Sequence, residues 1–317
     1  MIKSFGLIVF LLSIQCITRA QDTTAIGKTK SLDTTDISKM LEDEIKSTEK
    51  DKTEYVTATF KTTRLVNGHS LENTAKRVLD VKISHRFGTI SGTNGGAYNL
   101  FGLDNATMRM GFDYGITNTL MIGIGRSTDY KTYDAFFKLK ILRQSRGKRT
   151  MPITLSYVPT VSYESLNPGD SVLLADLKRF PSHRLNYSNQ ILIGRKFSEG
   201  LSLQLMPTIV HRNFPHDDGP HDIYALGIGG RQKIGKRTSF NVEYYYQLQS
   251  NRVPGSHDAL SLGFDIETGG HVFQLHMTNS AGMTETKFVP GSPNSWGKGE
   301  ILFGFNISRV FNVGRKH

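Results

Sequence analysis

The sequence predicts an all-β, antiparallel transmembrane β-barrel of the outer-membrane type, with about twelve strands. Three observations support this fold class: the first residues read as an export signal, no later stretch is apolar enough for a membrane helix, and many segments of about ten residues alternate between apolar and polar side chains. Within lipid, only helices and closed barrels satisfy every backbone hydrogen bond. This alternation in an exported chain therefore indicates a barrel.

Residues 1–20 have the features of a secretory signal peptide. A lysine near the start precedes an apolar run from Phe5 to Ile14, which is too short to span a bilayer as a helix. We expect cleavage after Ala20, which removes the only cysteine of the chain, Cys16. A lipoprotein signal that uses this cysteine is the alternative, but Gln15 stands where such signals normally need a small residue.

Residues 21–54 are polar and charged, and we expect a periplasmic linker there with one short helix, capped by Asp36 and carrying Met40 on its apolar face. Residues 55–66 alternate like a strand. An even strand number places both ends of a barrel in the periplasm, and a strand here would make the number odd. We therefore expect residues 55–76 to form a periplasmic extension, a pairing segment or an internal plug.

Residues 77–317 are predicted to form the barrel itself. Twelve strands are expected near residues 78–87, 105–116, 119–128, 131–143, 151–163, 184–198, 200–212, 222–234, 236–249, 258–268, 270–279 and 300–311. Short connections alternate with connections that are longer on average, as periplasmic turns alternate with external loops in outer-membrane barrels. A soluble sandwich or lipocalin-like barrel is the alternative, but a dry core would not hold so many charged residues without partners.

One face of the predicted strands carries charged residues that would line the interior. They are Lys82, Arg86, Arg109, Asp113, Asp134, Lys138, Lys140, Arg231, Glu243, Asp265 and Glu267. Mixed charges can line a water-filled pore and set its ion preference, or they can pair across strands and hold a sealed interior rigid. A barrel of twelve strands is wider than the eight that side chains just fill, so a narrow pore is geometrically feasible.

Several stretches resemble one family closely. They include the strand end His85–Gly88, the segment Tyr98–Asn105, the stretch Asp265–His276, the segment Trp296–Gly299 and the last strand Phe303–Val310. Together they resemble a family of Bacteroidota outer-membrane β-barrels called domain of unknown function 5777, over roughly residues 55–311. The resemblance implies an outer-membrane location. It implies no activity and no catalytic residue.

Two loops hold residues with chemical potential. Histidines and aspartates crowd residues 211–222, where a metal site is the alternative to the favoured interpretation, a solvated turn-rich loop. The loop 280–299 contains the only tryptophan, Trp296. It could fold inward as a constriction, but we expect an external connection anchored at the interface by Trp296. No hydrolase, zinc-protease or phosphate-binding motif is present, so we predict no enzyme, cofactor or metal.

The function that the sequence favours is a narrow pore for passive passage of a small hydrophilic or ionic solute. The first alternative is a non-conducting barrel that binds a periplasmic or surface protein through its long loops or its N-terminal segment, and the second is an outer-membrane enzyme. The expected partners are outer-membrane lipid and a small solute. Lysine and arginine are spread along the chain rather than clustered with aromatic residues, so nucleic acid is not expected.

Overall fold

The computed structural model describes residues 38–43, 52–92, 95–166, 180–215 and 219–314. The predicted signal peptide and its cleavage site lie outside these residues. Residues 38–43 form a short exposed helix within the segment where one helix is expected. No described helix is long and apolar enough to cross a membrane.

Fourteen strands are described. Their bounds are β1 Thr53–Tyr55, β2 Val78–Thr89, β3 Ala106–Gly115, β4 Leu120–Ser127, β5 Thr132–Leu142, β6 Ser145–Gly147, β7 Thr154–Glu164, β8 Leu185–Lys196, β9 Leu201–Arg212, β10 Asp222–Lys233, β11 Thr238–Gln247, β12 Ala259–Thr268, β13 His271–Thr278 and β14 Leu302–Asn312. The helical segments outside residues 38–43 are short: Ala97–Gly102, Asp129–Lys131, Pro181–Arg184, Gln249–Asn251, Glu285–Phe288 and Trp296–Lys298.

Twelve of these strands form one closed antiparallel barrel, in which β14 pairs with β2 and closes the ring through registers such as Ile307 opposite Ile83. The remaining strands, β1 and β6, form a separate two-stranded sheet. The structure therefore confirms the predicted fold class and the number of barrel strands. The expected strand bounds agree with the observed ones to within a few residues.

Each barrel strand alternates between a buried and an exposed face, and the chemistry of the two faces is the reverse of that in a soluble protein. The exposed positions of β4 and β9 include Ile122, Ile124, Leu203 and Leu205. The buried positions are dominated by polar and charged side chains. An apolar outer wall around a polar interior is the arrangement of a transmembrane barrel and excludes the soluble alternatives.

On the side where β2 begins and β14 ends, four of the five connections between barrel strands have two to four residues, and the fifth, residues 143–153, contains β6. Between β12 and β13 the turn consists of Gly269 and Gly270, with φ of 41° and 111°. Positive φ at both central residues matches the twist of a tight hairpin, and glycine adopts it without steric cost. This side is the periplasmic side, because the first barrel strand starts there and the last one ends there.

Candidate functional site

The interior of the barrel is filled by a hairpin that precedes the first barrel strand. Residues 59–74, which we call the plug, turn back on themselves at Leu65 and Gly68, where the Leu65 amide donates to the Gly68 carbonyl over 2.9 Å. A second bond joins the Ser70 amide to the Thr63 carbonyl. Residues 62–71 are all buried. The segment 55–76 thus contributes a plug rather than a wall strand.

The tip of the plug is held by one carboxylate of the wall. Glu243 on β11 accepts hydrogen bonds from the backbone amides of Val66, Asn67 and Gly68 at 3.2, 2.8 and 3.1 Å. A side chain at position 68 would collide with the wall, because an added Cβ would lie 2.0 Å from the Tyr245 hydroxyl. A side chain at position 68 would therefore have to displace the buried Tyr245 side chain.

One lysine of the wall joins the two arms of the plug. The Nζ of Lys138 on β5 donates to the carbonyl oxygens of Thr63, Ser70 and Glu72 at 3.0, 2.9 and 2.8 Å. These are charge-assisted hydrogen bonds, which are stronger than neutral ones. The Lys138 ammonium group uses all three of its protons on plug carbonyls.

Other strands complete the seat with side-chain donors. The contacts are Arg86 to the Asn67 side-chain oxygen (2.7 Å), Gln204 to the His69 carbonyl (2.6 Å), Arg231 to the Thr59 carbonyl (3.1 Å), Gln274 to the Leu65 carbonyl (2.5 Å) and Asn306 to the Val66 carbonyl (3.0 Å). Buried backbone groups need such partners, and a hairpin with no sheet neighbour must find them on side chains. The polar face of the wall supplies them.

Two ion-pair clusters lie within the wall. Lys82 on β2 contacts Asp80 at 3.0 Å and also pairs with Asp113 on β3. Arg109 on β3 donates through Nε to Asp134 on β5 over 2.9 Å, and its guanidinium makes a second contact with the same carboxylate. Both charged members of each pair belong to the wall, and the Thr63 hydroxyl of the plug adds a contact with Lys82 and donates to Asp113 over 3.0 Å.

The structure places all eleven sequence-predicted lumen residues on the inward side of the strands. Nine of them are at most 4% exposed: Lys82, Arg86, Arg109, Asp113, Asp134, Lys138, Arg231, Glu243 and Asp265. The other two are less buried: Lys140 lies 3.9 Å from Glu72 of the plug, and Glu267 pairs with Lys61 of the plug. Most of these residues either form ion pairs within the wall or hold the plug, whereas Asp265 accepts hydrogen bonds from Ser239 and Gln274 of the wall.

The connection between β13 and β14 also enters the lumen, from the external side. Glu285 is fully buried and accepts a bond from Arg64 of the plug over 3.1 Å. Phe288 packs against Tyr245 with ring centroids 4.9 Å apart. The expectation that residues 280–299 form an external connection is therefore wrong for this part of the loop, because a buried ion pair and an aromatic contact hold it inside. Trp296 lies near the outer rim and donates to the Leu260 carbonyl over 3.0 Å.

Two cavities flank this filled layer. The external one has a volume of about 310 Å³ and is lined by residues that include Glu164, Arg212 and Lys287. The periplasmic one has a volume of about 460 Å³ and lies between the plug residue Phe60 and the wall residue Asp80. The layer formed by the plug and the inward loop separates the two cavities.

A family model described as a membrane bound β-barrel domain, DUF5777, matches residues 60–311. The chain belongs to this family. The match confirms the resemblance seen in the sequence. Together with the apolar outer wall it confirms the predicted location in an outer membrane, where closed barrels of this kind occur. No curated protein matches the DUF5777 chain.

Solved structures similar to this DUF5777 barrel include porins and an outer-membrane channel, all of low sequence identity. The NanC porin is 10% identical with a TM-score of 0.46, over 73% of this chain and 98% of its own. The KdgM porin is 8% identical with a TM-score of 0.43, over 74% and 99%. An outer-membrane channel from Pseudomonas putida F1 is 12% identical with a TM-score of 0.41, over 75% and 96%. These likenesses concern barrel architecture alone.

The loop 211–222 of this DUF5777 chain shows a histidine–aspartate pair, His211 Nδ1 to Asp222 at 2.7 Å, while residues 216–218 lie outside the described chain. Among the described residues, no group of three or more histidine, cysteine or acidic side chains could hold a metal ion. The metal alternative for this loop therefore has no support in the described part of the chain.

The sequence analysis did not single out every contact residue of the DUF5777 lumen, and Tyr245, Arg64 and Glu285 are three examples. Tyr245 follows Glu243 on the inward face of β11, and the alternation could have identified it. Arg64 and Glu285 lie outside the barrel strands and are 221 residues apart, so no strand periodicity points to either of them.

Proposed function

We propose that this barrel is an outer-membrane pore for a small hydrophilic or ionic solute, and that the structure represents its closed state. The observation that carries the proposal is the arrangement of two cavities on either side of one filled layer. A twelve-stranded wall encloses a space wider than its own side chains can fill. Displacing the layer would join the two cavities into a passage.

The contacts of the plug suit a segment that can leave. The wall residues Lys138 and Glu243 hold it through backbone carbonyl and amide groups, and water can replace such partners. Both ends of the plug lie on the periplasmic side, because residue 76 leads directly into β2. The hairpin can therefore withdraw as a unit without threading the chain through the barrel.

The plug and the inward loop would open together. Arg64 of the plug joins Glu285 of the loop, and Tyr245 lies between the plug tip at Gly68 and the loop residue Phe288. Breaking the buried pair on one side leaves an uncompensated charge on the other, which is costly. Withdrawal of either element therefore weakens the position of the other.

Single-channel recording in planar bilayers tests this proposal. The variant Gly68→Leu forces a side chain into the seat occupied by the Tyr245 hydroxyl. Such overpacking costs about 1–3 kcal/mol, so the open fraction should rise roughly 5- to 150-fold. The matched control is Gly235→Leu in the turn before β11, where the nearest atom to an added Cβ is 3.7 Å away.

A second candidate function is that of a sealed barrel, which binds a protein partner through its loops or N-terminal segment. The dense polar packing around Lys138, Glu243 and Arg64 favours it. The recording separates the two. Heat-modifiable, correctly folded Gly68→Leu protein that passes no current would refute the pore and leave the sealed barrel. The proposal assigns passage of a solute, and no enzymatic step, to this lumen.

A further inference from the structure

The positive charge of the chain is concentrated on one side of the membrane. We define the periplasmic collar as residues 76–77, 143–153, 195–200, 233–237 and 309–314, which are turns and strand ends on the periplasmic side. These ranges contain twelve lysine and arginine residues. Two acids lie against them, Glu54 opposite Arg146 and Glu267, whose amide donates to the Arg237 carbonyl, and the acid within them is Glu199. Lys196 donates to that acid over 2.9 Å, which lowers the pKa of the Glu199 carboxyl and keeps it ionised.

The external connections show no such excess. Their described parts contain five lysine or arginine residues and five acidic residues. These parts are residues 90–92, 95–105, 128–131, 165–166, 180–184, 213–215, 219–221, 248–258 and 279–301. Spread along the sequence, the basic residues suggest no pattern. The antiparallel topology gathers them at one mouth of the barrel.

Once the plug is withdrawn, the unpaired charge of the lumen is positive, like that of the collar. The cations that then lose oxygen atoms of the plug are Lys82, Arg86, Lys138, Lys140 and Arg231. On the acidic side, the wall residues that lose donors of the plug are Asp113, Glu243 and Glu267. The wall pairs of Lys82 and Arg109 keep their carboxylates. The open lumen therefore has more cations than acids in need of a partner.

We propose that the solute carried by this pore is a small anion, such as an inorganic anion or a small carboxylate or phosphate ester. This inference rests on the proposed function. A positive mouth raises the local concentration of anions and repels cations, and cations along a narrow lumen replace part of the hydration of a passing anion. Lys138 and Arg86, which hold plug oxygens in the closed state, hold the oxygens of the solute in the open state.

The test is the reversal potential of full-length Gly68→Leu protein in phosphatidylcholine bilayers, which carry no net charge, under a potassium chloride gradient. The chloride-to-potassium permeability ratio should be roughly threefold or more near 0.1 M salt. It should fall toward one near 1 M salt, because the screening length shrinks from about 10 Å to about 3 Å.

Charge variants locate the origin of the preference. In the Gly68→Leu background, Lys236→Gln with Arg237→Gln removes two exposed collar charges and should lower the permeability ratio. The matched control, Lys131→Gln with Lys298→Gln, removes two exposed external charges and should leave the ratio unchanged. A ratio at or below one, or equal effects of both pairs, would overturn the anion proposal. Absence of current from folded protein would instead overturn the pore on which it rests.

Discussion

Lys138→Met is the most direct test of how the plug is held. Methionine keeps the length and most of the volume of the side chain but removes three hydrogen bonds to the carbonyls of Thr63, Ser70 and Glu72. A hydrogen bond to a charged group contributes about 1.5–3 kcal/mol, and burying an ammonium group costs several kcal/mol, so the net loss of plug stability should be about 3 kcal/mol. That loss corresponds to a roughly hundredfold higher population of the withdrawn plug.

Hydrogen–deuterium exchange measures this population. The amides of Val66, Asn67 and Gly68 are protected by Glu243 and exchange when the plug leaves its seat. Their exchange should accelerate roughly a hundredfold in Lys138→Met, while amides of the barrel strands keep their wild-type rates. Unchanged barrel exchange shows that the wall is intact and that the effect is local to the plug.

Lys140→Met is the matched control. This lysine lies two residues further along the same strand, but it faces Glu72 at 3.9 Å and is partly exposed. A partly exposed ion pair is worth about 0–1 kcal/mol, so exchange of the plug amides should rise less than about fivefold. Equal rates in Lys138→Met and wild type, or equal effects of the two substitutions, would refute the account of Lys138 as the residue that joins both arms.

Three further substitutions test other contacts. A double-mutant cycle of Arg64→Ala and Glu285→Ala, read by exchange of the plug amides, should give a coupling energy of about 0.5–3 kcal/mol; zero coupling would separate the loop from the plug. Arg109→Ala leaves the buried Asp134 carboxylate unpaired and should lower the free energy of unfolding in urea by about 3–5 kcal/mol. Ile124→Arg places a charge on the lipid face and should lower the free energy of unfolding of the protein in vesicles by about 2–4 kcal/mol. An arginine introduced on the lipid face near the membrane surface should have almost no effect.

The sequence contains enough information for the wall because a strand has a side-chain period of two. Once one residue of a strand is assigned to the lumen, every second residue follows. Lys82 and Arg86 on β2, and Asp134 and Lys138 on β5, were identified in this way, and the structure places them inside. The number of strands followed from the alternation of short and long connections, which reflects the difference between the two sides of an outer membrane.

What fills the barrel could not be predicted in the same way. The alternation of residues 55–66 indicates an extended chain but does not distinguish a wall strand from a hairpin that pairs with itself. Only the parity of the strands argued against a wall position. The seat of the plug depends on contacts between distant residues, such as Gln274 with Leu65, and no local pattern contains that information.

The filled interior is compatible with a pore because the charged residues of the lumen belong to two separable groups. Lys82 pairs with Asp113 on the neighbouring strand β3 and Arg109 pairs with Asp134 across β4 on β5, and those pairs persist when the plug leaves. Lys138 and Glu243 instead bind the backbone of the plug. Opening therefore removes the main partners of the second group, whereas the first group keeps its ion pairs and loses only the contacts of Lys82 and Asp113 with the Thr63 hydroxyl. Substitution of Lys82 or Arg109 should therefore destabilise the barrel, whereas substitution of Lys138 or Glu243 should open it. A gated pore needs this separation, because its wall must stay folded while the plug moves.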